Sequence, residues 1–163
     1  MTGKNDGRIS RRDFAKATAA GFAILGARSS YAADSKTDVI KIGLIGCGGR
    51  GTGAAANNLQ GNSNVKLIAV ADAFQERADK AVERFKGQFP DKTDIAPDHV
   101  FVGMDAYKKL LATDVDMIIH ATPPYARPTH ITAAVEAGKH IFTEKPVAVD
   151  GPGIRMFMDL SLI

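Results

Sequence analysis

The sequence predicts an α/β fold, a doubly wound parallel sheet with helices on both faces. Three observations carry that expectation. Five short runs are rich in β-branched and apolar residues, as buried strands are. Segments of helical period or composition separate most of them, which is the pattern of parallel strands joined by crossovers. A glycine-rich turn, Gly46–Gly51, joins the first run directly to the first helical segment.

The elements follow in order. Val39–Ile45 reads as a buried strand and residues 52–60, rich in alanine, as a helix. Val65–Ala71 is the second strand. From Phe74 to about Lys86 the residues Phe74, Ala78, Ala81, Val82 and Phe85 share one helical face, opposite Glu76, Asp79, Lys80, Glu83 and Arg84. The charges form a solvated face with Glu76 and Lys80 as an i,i+4 pair. Residues 87–98 read as a loop, His99–Val102 as a short strand, 105–112 as a short helix and Val115–His120 as the fourth strand. Residues 128–137 form a helix stopped by Gly138, and His140–Thr143 is the fifth strand. Asp150 and Pro152 mark the cap and first turn of one more helix.

The charge is concentrated at the front. Residues 1–32 hold six basic and two acidic side chains, leaving fifteen and sixteen in the rest of the chain. The basic balance therefore gives no support to nucleic-acid binding by the folded part. Ser10-Arg11-Arg12-Asp13-Phe14-Ala15-Lys16 resembles a twin-arginine export motif, with Ala15 where leucine is usual. Ala17 to Ala27 is apolar but too short to anchor in a bilayer, and Ser30-Tyr31-Ala32 supplies small residues before a cleavage point. Residues 1–32 are thus expected to be a signal peptide read by the twin-arginine machinery, 38–150 a nucleotide-binding domain, and 151–163 the start of a following helix. The expected location is the periplasm or another exported compartment, without a stable membrane anchor. The one cysteine, Cys47, rules out an internal disulfide, and no metal site is expected.

Gly46-Cys47-Gly48-Gly49-Arg50-Gly51 fits G-x-G-x-x-G in the context the pattern needs, after a strand and opening a helix. Gly46 serves the tight turn, Gly48 lets backbone approach a pyrophosphate, and Gly51 lets helix and strand pack closely. Gly46, Gly48, Gly49, Arg50 and Gly51 form the candidate phosphate cradle. Arg50 either reaches a phosphate or substrate or stands in solvent. Asp72 ends the second strand, where a carboxylate receives the adenosine ribose hydroxyls or caps the next helix. Two like charges about 4 Å apart, at an effective dielectric of about 20, repel by about 4 kcal/mol. NAD is therefore the expected cofactor. Arg77, one turn on, leaves NADP open. Cys47 reads as a small apolar filler. His99, His120 and His140 read as strand or edge residues without ligand spacing, and His130 as a helix residue.

Two further segments complete the pattern. Ala121-Thr122-Pro123-Pro124 follows the fourth strand, and Ala137-Gly138-Lys139-His140-Ile141-Phe142-Thr143-Glu144-Lys145-Pro146 spans the fifth. With the glycine loop they resemble the Gfo/Idh/MocA oxidoreductase family from about Val39 to Asp150. The resemblance implies a Rossmann domain and NAD(P)-dependent hydride transfer on sugars or polyols. It implies that Thr122 and Pro123 line the nicotinamide side, that Glu144 holds the nicotinamide ribose, and that Lys145 is the catalytic lysine. It also implies a cis peptide between Lys145 and Pro146. The family often has histidine where this chain has Arg127. It also continues into a sixth strand and a C-terminal substrate domain, so the chain is expected to be truncated, inactive alone, and oligomeric only with that domain. Two alternatives stand beside the dehydrogenase reading. One is an NAD-dependent glycosidase using transient redox chemistry, to which Arg50 in a G-x-G-x-R-G loop gives weight. The other is a non-catalytic nucleotide-binding fragment.

Overall fold

The structure is a computed structural model that describes residues 39–160. The predicted signal peptide lies outside the described residues. Within them the expected alternation is present: β1 (Ile40–Ile45), α1 (Gly49–Gly61), β2 (Val65–Asp72), α2 (Gln75–Gln88), β3 (Val100–Val102), α3 (Ala106–Leu111), β4 (Met117–His120), α4 (Arg127–Glu136), β5 (His140–Thr143) and α5 (Gly151–Leu160). The strands form one parallel sheet in the order β3-β2-β1-β4-β5. The chain winds outward from β1 in one direction, then returns and continues from β4 in the other. β1 and β4 are therefore the neighbours at which the winding reverses, and a crevice opens beyond their carboxyl ends.

Strand alternation sends side chains to two cores. Ile42, Leu44, Leu67, Val70 and Ile119 pack with Ala55 and Leu59 of α1 and Ala81 and Phe85 of α2. Ile45, Ala69, Ala71 and Ile118 pack on the other face with Tyr107, Leu110 and Leu111 of α3 and Ala134 of α4. Gly43 lets Leu110 in: a Cβ there would lie 2.6 Å from its Cδ2.

Some boundaries differ from those predicted. Val39 and Val115 stand outside their strands, and His99 ends a 3-10 turn, Pro97–His99, that precedes β3. The segment predicted as a plain loop, 87–98, holds the first two residues of that turn and all of a second, Pro90–Lys92, and buries Ile95. One core assignment is corrected. Phe74 is 59% exposed, because it occupies the extended position just before α2 rather than the helical face. Its ring lies 5.0 Å beneath the Arg77 guanidinium, at the lip of the crevice.

Candidate functional site

The turn after β1 is built on backbone demands. Gly46 sits at φ 95° and donates its N–H to Ala71 O at 2.8 Å. A Cβ on Gly46 would meet the Ala121 carbonyl carbon at 2.8 Å, and one on Gly51 would meet Gly46 O at 1.9 Å. A Cβ on Gly48 or Gly49 would meet nothing within 4 Å. Two glycines thus close the turn, and two leave open space in front of it. The N-terminus of α1 has no side-chain cap and no acidic residue in its first turn. Its unpaired N–H groups and the positive end of the helix dipole face that space, which suits an anion.

The crevice is a cleft of about 380 Å³. Gly46 and Gly48 line it, with Asp72, Phe74 and Arg77 toward β2 and Thr122, Pro123, Tyr107 and His130 toward β4. Asp72 is nearly buried. Its Oδ2 accepts the Cys47 N–H at 2.7 Å and its Oδ1 accepts the Phe74 N–H at 3.0 Å. A carboxylate has about four acceptor positions, so two remain for hydroxyl donors. Asp72 thus ties the glycine turn to the start of α2. The Cys47 thiol is pushed up to about 12, by burial first and by Asp72 second, which leaves it unreactive at ordinary pH.

Beyond β5, Glu144 is buried and ion-paired with the exposed Arg50. The guanidinium beside it holds the Glu144 carboxyl below the usual carboxylate range, against the opposing effect of burial. Arg50 aside, Glu144 Oε1 has no partner among the described residues. Lys145 is exposed and does not line the cleft, and the Lys145–Pro146 peptide is cis. The predicted residues therefore fall into four groups: Gly46, Gly48, Asp72, Thr122 and Pro123 in the cleft, Gly49 and Gly51 in the turn and helix start outside its lining, the Arg50–Glu144 pair, and Lys145.

Sequence reasoning missed two features. Arg127 is 6% exposed. Its Nε donates to Thr122 O at 2.8 Å, and its Nη1 donates to Glu144 O and, at 2.6 Å, to Pro146 O. One guanidinium thus joins the segment after β4 to the segment after β5. The available signal is an arginine followed by proline at a helix start, standing where the family pattern has histidine. The second feature is His120, which is fully buried between Thr122, Thr143 and His130. A histidine ending an apolar strand was the available clue.

Burial pushes His120 down to about 3, with help from His130 and Arg127, and burial pushes His130 down to about 4. An unfolded histidine takes its proton near pH 6.5, so the unfolded chain binds more protons than the folded one below that pH. Stability is then fully present above about pH 6.5 and is lost progressively on acidification towards pH 4 and below. Thermal unfolding followed from pH 7 to 4 is expected to show this fall. His120→Val is expected to flatten it, and equal slopes in the two proteins would contradict the assignment.

The chain matches the model of an oxidoreductase family with an NAD-binding Rossmann fold over residues 40–158. It is 34% identical over 118 residues to an alpha-N-acetylgalactosaminidase of Shewanella oneidensis, covering 70% of this chain and 24% of that protein. It is 31% identical over 111 residues to inositol 2-dehydrogenase 4 of Saccharopolyspora erythraea, covering 68% of this chain and 29% of that protein. Among solved structures, myo-inositol dehydrogenase from Lactobacillus casei, in complex with NAD(H) and myo-inositol, superposes with a TM-score of 0.64 at 26% identity. That match covers 76% of this chain and 33% of the other. The chain spans about a quarter of the length of the curated relatives it matches. A parallel sheet in this strand order, a glycine turn built as described and a family match over most of its length place the chain in the Gfo/Idh/MocA family of oxidoreductases, as its NAD-binding Rossmann domain.

Proposed function

We propose that this chain is the cofactor-binding part of an exported NAD(P)-dependent enzyme that acts on sugars or polyols. The observation that carries the reading is the cleft itself. It joins a glycine turn with open space before it to a carboxylate at the end of β2 and to Thr122 beyond β4. The residues fit a dinucleotide. The space before Gly48 admits a pyrophosphate against the N–H groups of α1, with Gly49, Arg50 and Gly51 completing the cradle. Asp72 accepts from the adenosine ribose, and the buried Oε1 of Glu144 is an acceptor with capacity for the second ribose. Thr122 and Pro123 bound the nicotinamide end. When bound, the cofactor supplies a two-electron hydride acceptor or donor. Lys145 is assigned to hold the reacting hydroxyl and move its proton, on the family resemblance. NAD is favoured over NADP because Asp72 would face a 2′-phosphate.

Calorimetric titration tests this. The full chain should bind NAD at least about tenfold more tightly than NADP, a fraction of the Coulomb repulsion between two like charges. Asp72→Asn should narrow the gap, since it removes the charge while leaving an acceptor. A wild-type preference for NADP would contradict the placement of Asp72.

Export rests on Ser10-Arg11-Arg12-Asp13-Phe14-Ala15-Lys16 and the apolar and small-residue segments behind it. Changing Arg11 and Arg12 together to lysine should retain the protein in the cytoplasm. Unaltered export on cell fractionation would refute the reading.

A second reading, a glycosidase that oxidises its sugar transiently and returns the hydride, has its own support. Relatives at 34% identity carry glycosidase names, and Arg50 sits in the glycine loop against Glu144. A full-length homologue that cleaves glycosides without accumulating NADH favours this reading. One that accumulates NADH on a polyol favours the first.

A further inference from the structure

A polar cluster runs from the cleft wall into the core behind it, and its centre, His120, does not line the cleft. β4 runs Met117-Ile118-Ile119-His120, and His120 is 0% exposed. A ring with two polar nitrogens is costly there unless both are engaged. Nδ1 lies 3.1 Å from Thr143 Oγ1, at the end of β5. Nε2 lies 2.9 Å from Thr122 Oγ1 and 3.2 Å from Nδ1 of His130. His130 in turn stacks on Tyr107 with ring centroids 3.9 Å apart. Thr122, His130 and Tyr107 line the cleft, whereas His120 does not. The buried ring is the strut behind that wall.

A hydroxyl rotates to suit its neighbours, but a neutral imidazole presents one donor and one acceptor at fixed positions. The ring therefore dictates where the Thr122 hydroxyl hydrogen and its remaining lone pair point. Both histidines stay neutral at ordinary pH because burial opposes their charged forms. Each ring therefore keeps one donor and one acceptor nitrogen there.

We propose that His120 is a positioning residue, which, braced by Thr143 and His130, fixes the Thr122 hydroxyl in the orientation that binds the nicotinamide end of a dinucleotide. The proposal rests on the reading that Thr122 faces the cofactor. His130 Nδ1 also lies 3.5 Å from Thr122 Oγ1, and the orienting contact is assigned to His120 because it is the shorter. Two replacements separate this role from simple core filling. Glutamine carries its polar end near the position of Nε2 and keeps the Thr122 contact. Asparagine carries its polar end near Nδ1 and keeps only the Thr143 contact.

The test is NAD titration of the full chain and of His120→Val, His120→Gln, His120→Asn, Thr122→Val and the His120→Val/Thr122→Val double variant. His120→Val and Thr122→Val should each weaken NAD by about tenfold, the worth of one hydrogen bond. The double variant should bind no more weakly than either single one, because both remove the same interaction. Glutamine should restore binding and asparagine should not. A second readout needs no NAD: in nitrogen-15 spectra Thr122→Val should move the His120 Nε2 resonance and leave Nδ1 in place. Thr122 is at the cleft surface, so this variant carries the test even if changes at His120 prevent folding. Unchanged affinity in Thr122→Val, an additive double variant, equal rescue by both amides or an unmoved Nε2 resonance would each overturn the proposal. A wild-type chain that binds no NAD overturns the cofactor reading and this proposal with it. Binding by wild type that His120→Val leaves unaltered overturns this proposal alone.

Discussion

Arg127→Ala is expected to lower the free energy of unfolding by about 3 kcal/mol, the lower end of the cost of breaking a buried charged contact. The cost has a definite origin. Arg127 is nearly buried, and its guanidinium serves three carbonyl oxygens, those of Thr122, Glu144 and Pro146. Removing it leaves those acceptors without their donor, at about 1–3 kcal/mol for each one that water does not reach. The loss is local as well as global. Thr122 borders the cleft and Glu144 stands beside it, so freeing both segments should also weaken dinucleotide binding by more than tenfold. Lysine should not rescue, because one ammonium cannot reproduce the planar fork that spans two segments. Urea unfolding with an unchanged denaturant slope is the measurement. A loss below about 1 kcal/mol, the range of an exposed arginine, would show that the guanidinium is not the tie between β4 and β5.

The glycine turn yields the second large effect. Gly51→Ala places a methyl 1.9 Å from Gly46 O, a backbone atom that cannot swing aside. Either α1 moves away from β1 or the turn opens. The expected cost is at least about 3 kcal/mol, at the top of the range for overpacking. Gly53→Ala is the control. It lies two residues further along α1, a Cβ there meets nothing within 4 Å, and alanine should stabilise the helix by up to about 1 kcal/mol. Equal behaviour of the two variants in thermal unfolding would mean that the close approach at Gly51 is absent in solution.

Much of this architecture was legible in the sequence, for identifiable reasons. The central strands are buried over most of their length, so Ile40–Ile45 and Val65–Asp72 read as apolar runs broken by Lys41 and Lys66 and closed by Asp72. The G-x-G-x-x-G spacing encodes a steric demand, and the distances at Gly46 and Gly51 are that demand in space. Asp72 was legible by position, as the residue that ends the second strand. What could not be read were contacts between residues distant in sequence. Arg127 meets Glu144 and Pro146 only because β5 lies beside β4, and the arginine-proline helix start marks the residue without naming those partners. His120 reads as an unremarkable strand end until β5 and α4 supply Thr143 and His130. Phe74 went wrong for a related reason. Helical period assigns it to the buried face, but the chain is still extended at that residue, and helix starts are the least certain part of a periodicity argument.

On this reading a dinucleotide binds in the space in front of the glycine turn. Gly48→Ala probes that placement. A Cβ at Gly48 meets no protein atom within 4 Å, and its φ of −68° suits alanine, so folding should be unaffected. That methyl would nonetheless stand where the pyrophosphate is placed. Calorimetric titration with NAD should show binding by the wild-type chain and a loss of at least about tenfold in Gly48→Ala, at an unchanged melting temperature. NAD binding of equal strength in the two proteins would contradict the account.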